Sequence, residues 1–171
     1  MNRSRLLALA AALGGALLVL PHPGHAGPSR KVEAAAAAEA VGKVTRSDAE
    51  WKRILPAESY TVLRRKGTEI PYTGAYWKEH ASGIYRCAGC GLALFSSATK
   101  FDSHTCWPSF WQPIAPSHVR TSGDTSHGML RDEVLCARCG GHLGHVFDDG
   151  PPPTHLRYCM NSAALRLEKV K

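Results

Sequence analysis

Three patterns of apolar and polar positions follow one another along this chain. Residues 6–20 form an uninterrupted apolar run, preceded by Arg3 and Arg5 and followed by the small residues Gly24 and Ala26. A basic start, a short apolar stretch and small residues at the cut predict a secretory signal peptide over residues 1–26. The run holds Gly14 and Gly15 and falls short of the roughly 20 residues that a spanning helix needs. No cysteine near the cut offers a lipid attachment point, and the leader lacks the paired arginines of twin-arginine export. Residues 27–46 are rich in alanine and show no apolar stripe to bury. They read as a tether with helical propensity.

The third pattern begins at Ser47 and covers residues 47–171. Ser47-Asp48-Ala49-Glu50 stands ahead of Trp51-Lys52-Arg53-Ile54-Leu55 with the spacing of a capping box, so the domain is expected to open with a helix. A second short helix is expected after Pro56, running through Tyr60-Thr61-Val62-Leu63 to Gly67. Beyond Gly74 the rhythm changes: Gly, Pro, Ser and His recur every few residues and no long 3.6-residue period survives. Short strands joined by functional loops follow from that. The strand candidates are Ile84-Tyr85-Arg86, Leu92-Ala93-Leu94-Phe95, Val134-Leu135, His145-Val146-Phe147 and Ala164-Leu165-Arg166-Leu167.

Charge adds little to this picture. The net charge is +7, and removal of a leader carrying two arginines and no acid leaves +5. Basic and acidic residues are interspersed with no run of five or more basic positions, so neither nucleic acid nor a membrane surface is expected as a partner of the mature chain. A soluble, exported monomer, periplasmic or secreted, is the expectation.

The cysteines change the picture most. Cys87 and Cys90 form one CxxC, Cys136 and Cys139 a second, each followed by glycine, with 45 residues between the pairs. One tight turn presents two sulfurs to the same metal, so together they can supply the four thiolates of a structural zinc site. Three disulfides are the competing arrangement in an exported chain. A disulfide within a CxxC closes too small a loop to constrain much chain, whereas zinc joins two segments far apart in sequence. Four thiolates leave no open position for catalysis.

Cys106 and Cys159 remain. Arg157 and Asn161 flank Cys159 at alternate positions and share its face if the segment is extended. A guanidinium there favours the thiolate and hence nucleophilic reactivity; a buried strand cysteine packing as a small hydrophobe is the plainer role. His142 and His145 directly follow the second CxxC and could act as general acid or base, as zinc ligands or as structural histidines. Trp107 and Trp111, close together beside Cys106, read either as core or as an apolar wall for a substrate.

Six motifs then stand in one order and spacing: residues 85–91 (Tyr85 to Gly91), Lys100-Phe101-Asp102-Ser103, Trp107-Pro108-Ser109-Phe110, Ser126-His127-Gly128, residues 142–147 (His142 to Phe147) and residues 157–162 (Arg157 to Ser162). In this the chain resembles the B-type methionine sulfoxide reductases, which reduce the R epimer, from about Ser47 to Glu168. The resemblance implies a mainly β fold of two antiparallel sheets with short N-terminal helices, and a four-cysteine Zn2+ site on the side away from the active site. It matches Cys159 to the nucleophile and Trp107 to the residue whose ring receives the S-methyl group. His142, His145, Asp149, Arg157 and Asn161 match the polar shell, and Phe147 in the same motif belongs with the substrate side. Cys159 would attack the sulfoxide sulfur and His145 would help protonate the departing oxygen, leaving methionine and a Cys159 sulfenic acid. The implied partners are oxidised methionine, in proteins or free, and a thioredoxin-like thiol reductant.

The chain departs from the family at one point. A resolving cysteine in this loop ordinarily stands where Thr105 is here, while Cys106 takes a position usually held by glycine. Cys106 is the one cysteine left after zinc and nucleophile are assigned, and on that ground it is the candidate to resolve the sulfenic acid by a disulfide. A reading from another class, a zinc-ribbon binding module without catalysis, accounts for the two CxxC pairs but not for Arg157 to Asn161 or the leader.

Overall fold

The computed structural model describes residues 27–170; the signal peptide expected over residues 1–26 lies outside them. Helix α2 (Asp48–Ile54) opens with the expected capping box: Ser47 Oγ accepts from the Glu50 N–H at 3.3 Å, and the Glu50 carboxylate accepts from the Ser47 N–H at 2.8 Å. Leu55, extended before Pro56, ends the helix, because a residue preceding proline is driven out of the helical region. Helix α3 (Ala57–Arg65) follows and stops at Lys66, which is left-handed at φ 55°.

The rest is strand: β1 (Gly83–Cys87), β2 (Ala93–Ser96), β3 (Lys100–Phe101), β4 (Ser109–Phe110), β5 (Val119–Asp124), β6 (Arg131–Cys136), β7 (His142–Phe147), β8 (Arg157–Met160) and β9 (Leu165–Lys169). They form two antiparallel sheets, one ordered β2-β1-β9 and the other β3-β4-β8-β7-β6-β5. The core lies where these meet. Phe95 of the small sheet stacks on Phe110 of the large one with ring centroids 4.5 Å apart, and Tyr85 meets Phe110 edge-on at 4.9 Å. Trp51, Val62 and Leu63 of the helices are buried in the same core. A mainly β architecture with short N-terminal helices is therefore what the chain adopts.

The two CxxC segments make matching turns. Cys87 N–H donates to Leu92 and Gly91 N–H to Cys87; Cys136 N–H donates to Gly141 and Gly140 N–H to Cys136, all at 2.8–2.9 Å. Gly91 and Gly140 close these turns at φ 76° and 68°, where a side chain would be strained.

Residues 27–46 depart from the expected tether. Residues Arg30–Ala37 form helix α1, capped by Ser29, and Ala36 is buried against Ile84 and Ala93 with Val32 packed beside them. Beyond the helix, the Glu39 carboxylate pairs with Arg86 at 2.8 Å and with Arg138 at 2.9 Å. Arg138 also donates to the Ala40 and Val41 carbonyls, and the Val44 N–H donates back to the Arg138 carbonyl. The apolar stripe was hidden because its buried member is an alanine, too small to mark a face in the sequence, and because its polar partners lie some 50 to 100 residues further on.

Candidate active site

Strand β8 carries Cys159 in the middle of the large sheet. It pairs with Ser109 of β4 on one side and His145 of β7 on the other. A pocket of about 120 Å³ opens over it, lined by Trp107, Phe147, Thr68 and Met160 as its bulky walls, with Arg131, His145 and Asn161 as its polar groups. Gly144 allows the strands to approach: a Cβ there would stand 2.1 Å from the Cys159 carbonyl oxygen and 2.9 Å from Met160 Cα. Any side chain at Gly144 would push β7 away from β8.

Burial pushes the Cys159 thiol above its ordinary range, while the Arg157 charge and hydrogen bonds from Thr105, Ser109 and Arg157 pull it back. The expected pull of Arg157 is present but is outweighed by burial. Thr105 and Ser109 are tied together through the Ser103 hydroxyl, at 2.8 and 2.7 Å, so a small hydroxyl cluster faces the sulfur.

Arg157 is itself fixed. Its Nε and Nη2 donate to the two Asp149 oxygens, both at 2.8 Å, and its guanidinium stacks over the Phe147 ring at 4.5 Å. A bidentate clamp and a stacked ring leave it little freedom. Asp149 thus acts on the site through Arg157 and does not line the pocket.

His145 reaches the pocket with its Nε2 bonded to Asp124 Oδ2 at 2.8 Å. Hydrogen bonds from Ser126, the His145 contact and the Arg131 charge hold the Asp124 carboxyl well below the usual carboxylate range, so it is ionised at neutral pH. An ionised carboxylate only accepts, which fixes the proton of neutral His145 on Nε2. His142 stands behind, with ring centroids 5.4 Å apart, buried and outside the pocket lining. Its Nδ1 bonds to the buried Glu133 at 2.8 Å, and Lys66 reaches the other Glu133 oxygen at 2.7 Å. Burial lowers the His142 pKa against the pull of Glu133.

Asn161 borders the pocket but its amide is engaged: Nδ2 donates to the Leu143 carbonyl at 3.1 Å and Oδ1 accepts from the Glu69 N–H at 3.0 Å. Glu69 is the hub on this side. Its carbonyl accepts from the Trp107 indole at 3.3 Å, and its buried carboxylate accepts from the Ser162 and Ala163 N–H groups at 2.7 and 2.9 Å. One residue therefore ties the Trp107 wall to the turn that follows β8. Cys106 is half-buried beside Trp107 and does not line the pocket; Thr105 is the residue of this loop that faces Cys159.

At the other end of β6 the remaining cysteines meet. The sulfurs of Cys87, Cys90, Cys136 and Cys139 all lie within 4.8 Å of one another, with Cys87 to Cys139 at 3.7 Å and Cys90 to Cys136 at 3.5 Å. Tetrahedral zinc with sulfurs at ~2.3 Å requires edges of about 3.8 Å, which the 3.7 and 3.5 Å pairs match and the 4.8 Å span of the whole set admits. Arg131, which lines the pocket, and Cys136 stand at opposite ends of six-residue β6, roughly 17 Å apart at ~3.3–3.4 Å per residue. The cluster is therefore away from the Cys159 pocket.

A half-buried cysteine with an adjacent guanidinium, a carboxylate-oriented histidine and an apolar pocket define a site for thiol-based redox chemistry on a β scaffold with a metal-binding cysteine cluster. The SelR domain matches residues 55–169 of the chain. The peptide methionine sulfoxide reductase MsrB of Bradyrhizobium diazoefficiens is 60% identical over 126 residues, 74% of this chain and 91% of that protein. The MsrB of Thiobacillus denitrificans is 58% identical over 120 residues, covering 70% and 91%, and that of Leptospira interrogans 55% over 127 residues, covering 74% and 97%. The chain belongs to the SelR family, the B-type methionine sulfoxide reductases.

Proposed function

We propose that this chain reduces methionine R-sulfoxide, in proteins and as the free amino acid, to methionine. The observation that carries the reading is Cys159 at the floor of a pocket with Trp107 and Phe147 as apolar walls and His145 within it. A sulfoxide offers an electrophilic sulfur, a basic oxygen and an apolar methyl, and these groups answer each in turn. The Cys159 thiol yields its proton, carried with help from His145, to the sulfoxide oxygen as its sulfur attacks the sulfoxide sulfur; methionine then leaves and the oxygen stays on Cys159 as a sulfenic acid. Arg157, clamped by Asp149, stabilises the thiolate form; Asn161 and His142 hold the strands and the His145 ring in place. A binding module without catalysis would leave this pocket without a purpose.

Cys106 is assigned as the resolving thiol. It attacks the sulfenic sulfur, a disulfide forms and water leaves, and an external dithiol of the thioredoxin type restores both thiols. Since Thr105 faces Cys159 in this structure, the loop of residues 102–108 has to turn for the two sulfurs to meet. Zn2+ is assigned to Cys87, Cys90, Cys136 and Cys139, where it supplies a cross-link and no reaction step. Export follows from residues 1–26, and sequencing of the mature N-terminus, expected near Gly27, checks it.

One experiment tests the chemistry. Wild type, Cys159→Ser and Cys106→Ser are given each epimer of N-acetyl methionine sulfoxide, first with dithiothreitol and then without reductant. Wild type should consume the R epimer only, and Cys159→Ser should lose activity with fold and zinc intact. Equal use of both epimers, or an active Cys159→Ser, refutes the mechanism. Without reductant, wild type should yield a peptide linking Cys106 to Cys159. A persistent dimedone-reactive Cys159 in wild type and Cys106→Ser alike would instead establish direct reduction by the external thiol.

A further inference from the structure

A second cavity, of about 430 Å³, adjoins the sulfoxide pocket and shares Arg131 and Phe147 with it. Its apolar lining is Leu130, Val146, Leu156 and the outer side of Phe147. Leu130 is 87% exposed, the most exposed large apolar side chain among the described residues, and Met129 before it is 48% exposed. Exposed Leu130 joins Val146, Leu156 and Phe147 along one groove, a contiguous apolar surface that a bound chain can cover. Asp132 and Asp148 also line the groove. Both are exposed, and neither enters an ion pair among the described residues. Arg131 forms the divide between the two cavities. Its Nη2 is held by Asp124 at 2.8 Å and Ser126 at 3.2 Å, while its buried Nε donates to no acceptor among the described residues.

We propose that this groove is a subsite for the polypeptide on either side of the oxidised methionine, and that it selects an apolar residue next to the sulfoxide with a lysine or arginine close by. The inference rests on the reductase reading above and deepens it. Continuity with the pocket places any neighbour of a bound methionine sulfoxide against Leu130 and Leu156. The two free carboxylates favour a cation there and disfavour an acidic flank, a rim interaction that acts most strongly at low salt. A free amino acid fills the first pocket and leaves the second untouched.

The test compares kcat/KM for three peptides, each with a single R-sulfoxide at its centre, flanked on both sides by Leu-Lys, Leu-Glu or Gly-Ser, with N-acetyl methionine R-sulfoxide as the small reference. Wild type should prefer the Leu-Lys peptide over the Gly-Ser one by on the order of tenfold, the scale of discrimination a few buried methylenes give. It should prefer Leu-Lys over Leu-Glu by several-fold at low salt, and that second ratio should shrink in 0.5 M salt, as a Debye length of ~4 Å implies. Leu130→Ser should lower the first ratio and Asp132→Asn with Asp148→Asn the second, while turnover of the small reference stays at the wild-type level. Equal rates on the three peptides in wild type, or ratios unchanged in the variants, overturn the subsite. Failure to turn over the small reference overturns the reductase reading and the subsite with it.

Discussion

Opposing influences meet at Cys159: burial holds it in the thiol form while Arg157, Thr105 and Ser109 pull the other way. The sign of its pH dependence follows. With the pKa above the ordinary thiol range, the thiolate fraction is small at neutral pH and grows about tenfold per unit as pH rises toward the pKa. Alkylation of Cys159 by iodoacetamide, followed by mass spectrometry in the absence of substrate, should therefore still be accelerating beyond pH 8.5, roughly the free-thiol value. Arg157→Ala should slow it at every pH below the pKa by removing the favourable charge; a rate already flat at pH 7 would show instead that the thiolate is preformed. At this scale the sequence was legible where function is local. Arg157 and Cys159 stand out because alternate positions on one strand share a face, and Asn161 continues the alternation one residue past the end of β8. Asp124, Glu133 and Glu69 did not, because a carboxylate's task depends on what the sheet register and a distant loop bring to it. Glu133, a lone acid in an ordinary strand pattern, becomes the partner of His142 only once β6 and β7 are paired. Thr105 was noticed as the place of an absent cysteine, and the structure adds that its hydroxyl hydrogen-bonds Cys159 and pulls its pKa down against burial.

At the scale of elements, what could be read was what carries periodicity or a capping signal. Helices α2 and α3 and strands β1, β2, β6, β7 and β9 lie on the predicted segments, whereas β3 and β4 have two residues each, too few for any period. Strand β5 is an edge strand whose six residues are mostly exposed, so no alternation marks it. Helix α1 and the segment behind it matter most among the elements that were misjudged. They bury Ala36, pack Val32, Val41 and Val44 at the core margin, and place Glu39 between Arg86, just before the first CxxC, and Arg138, inside the second. Arg138 further donates to the Cys90 carbonyl at 3.4 Å. This segment precedes the SelR match and lies over the cysteine turns as a strap. A chain starting at Ser47 should still fold, since the matched domain is complete without it. It should lose on the order of 3 kcal/mol, the burial of one or two aliphatic side chains, with a Tm lower by several degrees. Arg138→Ala in the longer chain should reproduce much of that loss by releasing both the strap and the turn. Identical melting of the two chains would restore the tether.

The whole molecule is organised between two ends of one sheet, the cysteine cluster at one and the Cys159 pocket at the other. The helices belong to the first end. Leu63 of α3 approaches both turns so closely that a Cβ on Gly89 or Gly141 would stand 3.4 or 2.9 Å from it, and Arg64 donates to the Cys139 carbonyl at 3.1 Å while its guanidinium lies 5.0 Å over the Trp51 ring. A metal joining the two turns therefore fixes β1, β6, both helices and the strap at once, across 45 residues of intervening chain. Each thiolate it binds is a charge that an apolar end of a core would otherwise reject. Metal binding to such a set returns on the order of 10 kcal/mol in small zinc peptides, comparable to the whole stability of a domain of this size. Two consequences separate this role from catalysis. Cys87→Ser should lose zinc and the cooperative melting transition together, whereas Cys159→Ser should retain one zinc per chain and wild-type melting with no turnover. Titration of the reduced enzyme with a strong chelator, read in parallel by a zinc-sensitive dye, circular dichroism and turnover of N-acetyl methionine R-sulfoxide, should show the three signals falling along one curve. Zinc release that leaves folded, active protein behind would refute the structural role, and release that abolishes turnover while the fold persists would place the metal in the chemistry.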